Sequence, residues 1–283
     1  MFEAALYDVL FIDRSHNCPT PLPTPNDIDG SEVLPNRPGS ARLVRIQQRF
    51  ITKFGAHVRP IEAYNMLYVA KATTVPVPKV YAIYQRREKQ STVTYIVMQY
   101  VQGTTQHSWT CGVASTKLTL RTYFDQLRQL EHPGYFGNIN GGPPLDDIFS
   151  ATQGANEIKG SFATEDELAD WIIRIYSLEI GERADSKTRY YQHVLPTVLR
   201  SDGTPIFAHN DFQRKNVTVQ DDGALVIVDW EFSSWYPAYW EYSTAMFANG
   251  CWNDDWHEYV RIALDEYPNQ SLWLSTFKLE MWS

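Results

Sequence analysis

In part of the first hundred residues apolar and polar positions alternate, which is the spacing of half-buried strands. Two short alternating runs, residues 43–46 and 49–54, predict an antiparallel hairpin whose turn contains no glycine. Residues 80–84 and 92–98 are rich in β-branched and aromatic side chains and predict two further strands. Residues 60–70 begin with proline and carry apolar positions at helical spacing, so we expect a helix between the two pairs of strands.

The chain before residue 41 is predicted to be an arm without regular structure. Residues 17–40 contain six prolines among mostly polar side chains. Proline fixes its own backbone and pushes the residue before it away from the helical region. We therefore expect order to begin near Ala41.

Beyond Gly103 the apolar spacing changes from that of strands to that of helices. Apolar residues three or four positions apart mark a helix over residues 120–130, a second that starts at a capping box at residues 164–167, and a third near residues 187–199. Residues 134–160 are rich in glycine, proline and aspartate and predict a loop. The aromatic-rich end of the chain is expected to be helical.

A second hairpin is indicated later in the chain. Two short apolar runs, residues 217–219 and 224–228, flank the turn sequence Asp221-Asp222-Gly223. A strand, a turn and a strand return the chain to its starting level, so Asp229 at the end is expected beside Asn216 at the start. A carboxylate and an amide oxygen side by side form a hard oxygen site suited to Mg²⁺.

The loop before this hairpin carries two more candidate residues. Asp211 precedes Asn216 by five positions and would face the hydroxyl group that accepts a phosphoryl group, while His209 would brace the loop. Each residue alone has an ordinary explanation: Asp211 could cap a turn, His209 could be a buried structural histidine and Asp229 could end a strand. Their joint order favours a phosphoryl-transfer centre.

Composition and charge narrow the class of protein. The chain has 283 residues, 43% of them apolar, which is enough for a substantial core. Its 25 basic and 33 acidic residues give a net charge of −8, which argues against nucleic acid as a partner. The apolar runs fall well short of the ~20 residues of a membrane span, and the N-terminus has no basic leader. Cys18, Cys111 and Cys251 lack disulfide or metal-site spacing. We expect a soluble cytoplasmic protein with reduced thiols and no membrane partner.

The ordered set of motifs resembles the aminoglycoside phosphotransferase and choline kinase superfamily, and within it the fungal phosphotransferase-family proteins. The resemblance covers about residues 40–245. Its most specific part is the segment 209–230. The other segments that carry it are Lys53-Phe54-Gly55 with Glu62-Ala63, and residues 75–81, 96–103 and 160–162.

This resemblance implies an α+β fold of the bilobal protein-kinase-like type. Residues 1–102 would form a small N-terminal lobe, with the proline-rich arm and a nucleotide-clamping antiparallel sheet. Residues 103–283 would form a larger, mostly helical C-terminal lobe, with the catalytic loop and the acceptor site. The implied reaction is transfer of the γ-phosphate of ATP, with Mg²⁺, to a hydroxyl group of a small molecule. The sequence does not indicate an oligomeric state.

The resemblance also assigns residues to the nucleotide. Lys53 would contact the α- and β-phosphates, and Glu62 would hold that lysine by an ion pair; taken alone, Lys53 would be an ordinary solvated strand lysine. Gln99 to Val101 would be the hinge whose backbone holds adenine, with Met98 behind it.

The remaining implied roles belong to the catalytic loop and the metal. Asp211 would be the catalytic base or the residue that orients the hydroxyl group, and Asn216 and Asp229 would bind Mg²⁺. Arg214 or Lys215 would offset charge that develops during transfer, unless both are plain surface cations.

Two positions depart from the pattern of the resembled family. Kinases usually cover the triphosphate with a glycine-rich loop, but residues 38–42 contain a single glycine and Gln47-Gln48 contain none. Gln99 stands where an acidic hinge residue is common. The first departure bears on the nucleotide clamp, and the second is minor because backbone groups hold adenine.

The acceptor should be selected by the region after Asp229. Residues 230–242 and 251–258 combine aromatic rings with carboxylates, which can hold an ammonium group. An amine-bearing metabolite or antibiotic is therefore one candidate acceptor. The alternative is that these rings pack the last helices while the acids are solvated. At the level of function, the alternative is a catalytically inactive or repurposed kinase-like protein, acting as a binding module or in a non-kinase biosynthetic step.

Overall fold

A computed structural model describes residues 7–35, 41–89, 91–104, 113–150, 160–181, 185–248 and 254–281. The chain divides into two compact units. The sheet unit comprises Met1–Thr104 and Thr218–Glu231, and the helical unit comprises Thr105–Val217 and Phe232–Ser283.

The sheet unit is built on a five-stranded antiparallel sheet. Its strands, in the order β1-β4-β5-β3-β2, are β1 (Asp8–Ile12), β2 (Arg42–Ile46), β3 (Phe50–Gly55), β4 (Val80–Arg87) and β5 (Thr92–Gln99). The predicted hairpin and the two further strands are confirmed. The turn between β2 and β3 needs left-handed backbone, and Gln47 and Gln48 supply it with φ angles of 52° and 55° although neither is glycine.

Alternation along β3 places its side chains on two different faces of the sheet. Phe50 and Phe54 point into an apolar cluster that includes Tyr95 of β5. Lys53, one position out of phase with them, pairs with Ile96 in the β5 register. The predicted helix is present as α2 (Pro60–Ala72), which packs on β4 and β5 and supplies Glu62 to the Lys53 side of the sheet.

The prediction that order begins near Ala41 is wrong. Before residue 41 the chain adds edge strand β1 to β4 and forms a short helix, α1 (Pro25–Asp29). Thr24 caps α1, since its hydroxyl accepts from the Asp27 N–H while the Asp27 carboxylate accepts from the Thr24 N–H. Ile28 is fully buried in the same cluster as Phe50. The prolines therefore shape a segment that covers one face of the sheet.

The second predicted hairpin is confirmed as β7 (Val217–Val219) and β8 (Leu225–Ile227). Two contacts join it to the sheet unit: Val219 exchanges backbone hydrogen bonds with Thr104, and Ile227 N–H donates to the carbonyl of Pro76. The approach of the strands at Thr104 is close, because a Cβ on the preceding Gly103 would lie 2.3 Å from the Val219 oxygen.

The helical unit contains three helices that the sequence predicted and others at its aromatic-rich end. They are α3 (Val113–Arg128), α4 (Asp147–Ser150), α5 (Glu165–Ile180), α6 (Asp185–Val198), α7 (Trp240–Ala248), α8 (Trp256–Ala263) and α9 (Pro268–Met281). The short helix α4 lies within the segment predicted to be loop. Thr164 caps α5 as expected, since its hydroxyl accepts from the Glu167 N–H at 3.2 Å.

A two-stranded sheet in this unit was not predicted. Strand β6 (Ile206–Ala208) pairs antiparallel with β9 (Ser234–Tyr236), so the aromatic-rich end of the chain begins as a strand before it becomes helical. Each strand has three residues, all buried, too few to show an alternating pattern in the sequence. This pairing fixes both ends of the segment 209–233, which lies between the two strands.

Most aromatic residues proposed for the acceptor site are buried in the protein interior. The packing alternative is therefore the one that the structure supports for them. Those with at most 4% exposure are Trp230, Trp235, Tyr236, Tyr239, Trp240, Tyr242 and Trp256.

Some predictions concern residues that the structure does not describe. Cys111, Cys251 and residues 36–40, which include most of the glycine-poor loop, lie outside the described residues. Cys18 is half-buried and carries a free thiol. Among the helices of the described residues, none combines the length and apolar character that crossing a membrane requires.

Candidate active site

The sheet unit gathers three carboxylates around one lysine. Lys53 Nζ lies 2.9 Å from Glu62 Oε2, 2.7 Å from Asp229 Oδ1 and 3.0 Å from Glu231 Oε2. The predicted ion pair between Lys53 and Glu62 is present, and Asp229 joins it from 176 positions further along the chain. We refer to these four residues as the lysine cluster.

Burial sets the electrostatics of the lysine cluster. Glu62 and Lys53 have only 2% and 11% of their side chains exposed, whereas Asp229 and Glu231 have 29% and 32%. Burial alone would lower the pKa of Lys53, but the three carboxylates outweigh it and raise that pKa above its usual value. Burial, together with Asp229 and Glu231, raises the pKa of Glu62 to about 7 against the opposing effect of Lys53. The lysine therefore stays charged, and the cluster carries excess negative charge at its exposed side.

Glu231 is a member of this cluster that sequence reasoning did not place there. From the sequence, Glu231 is one of the possible acceptor contacts after Asp229. Arg59 holds the segment by donating to the Glu231 carbonyl at 3.2 Å, and Asn65 does so by donating to the Trp230 carbonyl at 2.9 Å. Strand alternation does not extend to Glu231, because the backbone turns at Asp229, where φ is 68°. The position of Glu231 therefore follows from the fold and not from its spacing in the sequence.

Asp229 has an unusual backbone conformation, with a φ of 68°. Residues other than glycine seldom occupy this left-handed region, and such positions concentrate at functional sites. The adjoining Trp230 is fully buried and its indole N–H donates to the Ile227 carbonyl at 2.9 Å. Trp230 thus anchors the turn that directs the Asp229 carboxylate at Lys53.

The predicted hinge follows strand β5. The amide of Gln99 donates to the Lys79 carbonyl and the amide of Tyr100 to the Arg49 carbonyl, both at 2.8 Å. Within the described part of the chain, the amide of Val101 donates to no other group. If the hinge holds adenine, Val101 is the residue whose N–H is available for it.

In the helical unit, Asp211 lies in a loop whose other side chains bind the Asp211 carboxylate. Gln213 Nε2 donates to Asp211 Oδ1, and Asn216 Nδ2 donates to Oδ2 at 2.6 Å and to the Asp211 carbonyl at 2.8 Å. Lys215 Nζ lies 3.4 Å from Oδ2. The carboxylate has 13% of its side chain exposed, so it is held in one orientation and still reaches solvent. We call residues 209–216 the catalytic loop.

Buried groups support the catalytic loop at both ends of Asp211. His209 is fully buried, and its Nδ1 accepts from the Asp211 N–H at 3.2 Å. Phe212 packs between the rings of Phe124 and Trp256, whose centroids lie 4.5 and 4.8 Å away. His209 therefore binds the backbone of the loop that it is predicted to brace, and the bracing role stays a prediction.

The two cations of the loop have different surroundings. Arg214 is buried, stacks over the rings of Trp256 and Tyr259 and forms ion pairs with Asp254 and Asp255. It is therefore a structural residue and not a surface cation. Lys215 has 55% of its side chain exposed and lies beside Asp211. Lys215 is the cation of this pair that could meet a phosphate.

The sequence-predicted residues thus fall into two groups. Lys53, Glu62 and Asp229 meet in the sheet unit, and His209, Asp211 and Asn216 meet in the helical unit. The predicted contact between Asn216 and Asp229 stays a prediction.

Glu241, on the first turn of α7, supports the catalytic loop and was not singled out from the sequence as such. Its Oε1 accepts from the Asn210 N–H at 2.9 Å, while its Oε2 has no hydrogen-bond partner among the described residues. Burial raises the pKa of Glu241 to about 7, against the opposing effect of its bonds to the backbone of Asn210 and His209. A carboxylate buried with one bare oxygen destabilises the folded state when it is ionised.

Replacement of Glu241 by Gln should remove a pH dependence of stability. Between pH 4.5 and about 7 the carboxyl group keeps its proton in the folded chain but loses it in the unfolded chain. The wild-type free energy of unfolding therefore falls as pH rises, by about 3 kcal/mol from this group. Urea denaturation should show Glu241→Gln gaining about that much relative to wild type between pH 4.5 and 8. A difference between the two proteins that is the same at both pH values would contradict the expectation.

Comparison with known proteins identifies the family. The sequence profile described as the phosphotransferase enzyme family matches residues 47–270. A search of curated protein sequences found no significant match. Among solved structures, an apo thermostable mutant of aminoglycoside phosphotransferase APH(4)-Ia shares 18% identity, with a TM-score of 0.54 over 89% of this chain and 90% of that chain.

Two ligand-bound structures are similar to the same extent. The ternary complex of an APH(4)-Ia mutant with ADP and hygromycin B has a TM-score of 0.59 and 16% identity, over 89% of this chain and 84% of that one. The GDP and kanamycin complex of APH(2'')-IIIa has a TM-score of 0.55 and 12% identity, over the same shares. At these identities the likeness shows the fold, and it confirms the predicted kinase-like α+β class. With a profile match over most of its length, the chain belongs to the phosphotransferase enzyme family and is a small-molecule kinase by class.

Proposed function

We propose that this protein transfers the γ-phosphate of ATP to a hydroxyl group of a small molecule in a Mg²⁺-dependent reaction. The observation that carries the proposal is the lysine cluster. The resemblance alone assigns Lys53 to the phosphates, Glu62 to the positioning of that lysine and Asp229 to the metal. In the structure the ammonium nitrogen of Lys53 lies within 3 Å of a carboxylate oxygen of Glu62 and of Asp229. A chance arrangement would not bring together residues so far apart in sequence with those assigned roles.

In this proposal Lys53 neutralises phosphate oxygens of the nucleotide. Because its pKa is raised, the lysine is protonated at any physiological pH. Glu62, buried on α2, fixes the direction of the ammonium group, and the Val101 N–H donates a hydrogen bond to adenine. The negative charge left over at Asp229 and Glu231 suits a divalent cation better than a bare triphosphate.

The residues present fit Mg²⁺. Carboxylate oxygens of Glu62, Asp229 and Glu231 lie within 4.8 Å of one another, and hard oxygen donors are what Mg²⁺ prefers. Asn216 uses its amide nitrogen on Asp211, which leaves the amide oxygen to serve as a ligand. Asp229 of the sheet unit is proposed as a metal ligand on this geometry, and Asn216 of the helical unit is proposed as one from the resemblance alone. The metal would neutralise charge on the phosphates.

Asp211 is proposed to orient the attacking hydroxyl group and to receive its proton. Each of its oxygens already accepts a hydrogen bond inside the loop, which fixes the carboxylate plane before an acceptor arrives. A preoriented carboxylate lowers the entropy that must be lost when the hydroxyl group is aligned with the phosphorus atom. Lys215 is the neighbouring cation that can offset charge on the transferred group.

The acceptor is proposed to be a small hydroxyl-bearing molecule. Solved relatives were crystallised with hygromycin B and with kanamycin, which are amine-bearing compounds. Among the described residues, most of the aromatic residues first considered for an amine are buried, and Asp254 and Asp255 both pair with Arg214. An amine-bearing acceptor therefore stays a prediction, to be tested in a substrate screen in which neutral alcohols compete with amines.

Thermal denaturation with ATP and Mg²⁺ tests the nucleotide part of the proposal. A specific ligand at 100 times its Kd should stabilise the folded state by about 2.7 kcal/mol and raise Tm. Mg²⁺ alone and ATP with EDTA are the controls, and both should raise Tm less. No shift at millimolar nucleotide would overturn the kinase function. A shift without ADP formation against any acceptor would favour the alternative, a kinase-like binding module.

A further inference from the structure

Asn210 connects His209 to Asp211 through a left-handed backbone, with a φ of 63°. Most residues with a Cβ avoid this region, and asparagine is one of the few that tolerate it. The residue is buried, and its conformation sets the direction in which the chain enters Asp211. Any group that fixes Asn210 therefore acts on the position of the Asp211 carboxylate.

The side chain of Asn210 donates hydrogen bonds to two buried groups. Its Nδ2 donates to Asp146 Oδ2 and to the Tyr236 hydroxyl, both at 3.1 Å. The Tyr236 hydroxyl donates in turn to the Phe232 carbonyl at 3.0 Å. These partners come from the segment before α4 and from strand β9, so the contact joins three separate parts of the helical unit.

Asp146 is itself fixed by three further contacts. Its Oδ2 accepts from the Trp240 indole at 3.0 Å and lies 3.2 Å from Lys278 Nζ on α9, and its Oδ1 accepts from the Ile148 N–H at 3.0 Å. The side chains of Asp146 and Lys278 are only 4% and 7% exposed. Against the effect of burial, Lys278 and these hydrogen bonds hold the pKa of Asp146 below its usual value. Asp146 is an ionised group with its hydrogen bonds made, which fits a fixed anchor.

Stability alone does not account for this buried ion pair. Removing two charges from water often costs more than their attraction returns, and well-packed apolar residues frequently replace such pairs without loss. The phosphoryl chemistry proposed above leaves Asp146 and Lys278 without a role. What distinguishes the pair is its contact with the residue before Asp211.

We infer that Asp146 and Asn210 form a positioning pair that holds the catalytic loop so that the Asp211 carboxylate points at the acceptor hydroxyl group. This inference rests on the proposed function, because it gives Asp211 its role. Asp146 and Asn210 touch neither the nucleotide nor the acceptor in this scheme. They are positioning residues that act through Asp211.

The first test separates the backbone of Asn210 from its side chain. Asn210→Gly keeps a residue that accepts positive φ and removes only the contact with Asp146 and Tyr236. We expect kcat for ADP formation from Mg²⁺-ATP, with water as the acceptor, to fall about 10- to 100-fold, since small misplacement of a catalytic group has effects of that order. The KM for ATP should stay within about twofold, because the lysine cluster is unchanged.

The second test removes Asp146, the partner of Asn210 in this contact. The double variant Asp146→Leu/Lys278→Met removes both charges together, so that no unpaired buried charge is left to unfold the protein. It should show the same fall in kcat with the same KM for ATP. Adding Asn210→Gly to it should cause little further loss, since coupled residues give non-additive effects.

Glu280→Gln is the matched control. Glu280 lies on α9 like Lys278, and its carboxylate binds Tyr191, Tyr176 and Lys187 away from the catalytic loop. This variant should lower Tm and leave kcat unchanged. A wild-type kcat in Asn210→Gly, or additive losses in the triple variant, would overturn the positioning pair while leaving the phosphotransferase function intact. An inactive wild type that ATP does not stabilise would overturn both.

Discussion

Replacement of Asp211 by Asn should lower the turnover number by about 10³-fold while the protein still binds nucleotide. Asparagine has the same shape, and its single amide oxygen can still accept from Asn216. Its amide nitrogen replaces the oxygen that accepts from Gln213, so the Gln213 amide has to turn over and present its own oxygen for the loop to keep its structure. It cannot receive a proton from the attacking hydroxyl group, and it offers a weaker acceptor to orient that group. The measurements are kcat for ADP formation and the rise in Tm on addition of Mg²⁺-ATP. The rise in Tm should match that of wild type.

Asp222→Asn is the control for the Asp211 variant. Asp222 is an exposed aspartate in the β7–β8 turn, where it accepts from the Ala224 N–H at 2.9 Å. Asparagine makes the same turn contact, so both turnover and stability should be unchanged. Turnover of Asp211→Asn within a few-fold of wild type would remove Asp211 from the chemistry. Loss of the nucleotide-induced rise in Tm would instead mean that the substitution had disturbed the fold.

The regular elements of the sheet unit were predictable because each has a local cause. Alternation identified β2 and β3, β-branched and aromatic content identified β4 and β5, and Pro60 with a helical period identified α2. The Asp-Asp-Gly turn identified the β7–β8 hairpin from three residues. These signals are contained within a few neighbouring positions, so they survive without any knowledge of the tertiary structure.

The elements that the sequence did not predict depend on distant partners. Strand β1 has exposed apolar residues and a break in register near Leu10, and it is a strand because β4 offers it an edge. Ile28 in the five-residue helix α1 is buried by Phe50 and Phe54 from a different part of the chain. The proline-rich composition predicted an arm without regular structure, and it contains no signal for the sheet face that the arm covers.

The candidate site shows the same division. Spacing and resemblance identified Lys53, Asp211 and Asp229, whose residue types are required by the chemistry. They did not identify Glu231, Glu241 or Asp146, which act through contacts that only the folded chain creates. Arg214 illustrates the converse, because its position in the catalytic loop suggested a role at the phosphate, whereas in the fold it is buried against Trp256 and paired with Asp254 and Asp255. Positioning groups have no fixed spacing to the residue that they hold, so they are found from distances and burial.

Lys53→Met should be the most destabilising substitution in the lysine cluster and should also abolish nucleotide binding. Methionine fills a similar volume but leaves Glu62 buried among two other carboxylates without a cation. Breaking a buried ion pair from one side costs about 3–5 kcal/mol in the free energy of unfolding. Part of that loss should be recovered as pH falls, because protonation of Glu62 removes the uncompensated charge. Urea denaturation at pH 5 and pH 8, with and without Mg²⁺-ATP, measures both effects.

The double variant Lys53→Met/Glu62→Gln separates stability from function. Since neither buried charge is then left alone, its free energy of unfolding at pH 8 should exceed that of Lys53→Met by at least about 1–2 kcal/mol. Nucleotide should still fail to raise its Tm, because the cation for the phosphates is missing. Equal stability of the two variants would mean that Glu62 is not the group that Lys53 compensates. A normal rise in Tm with Mg²⁺-ATP would mean that phosphate binding does not depend on Lys53, and the nucleotide site would then have to be sought elsewhere in the chain.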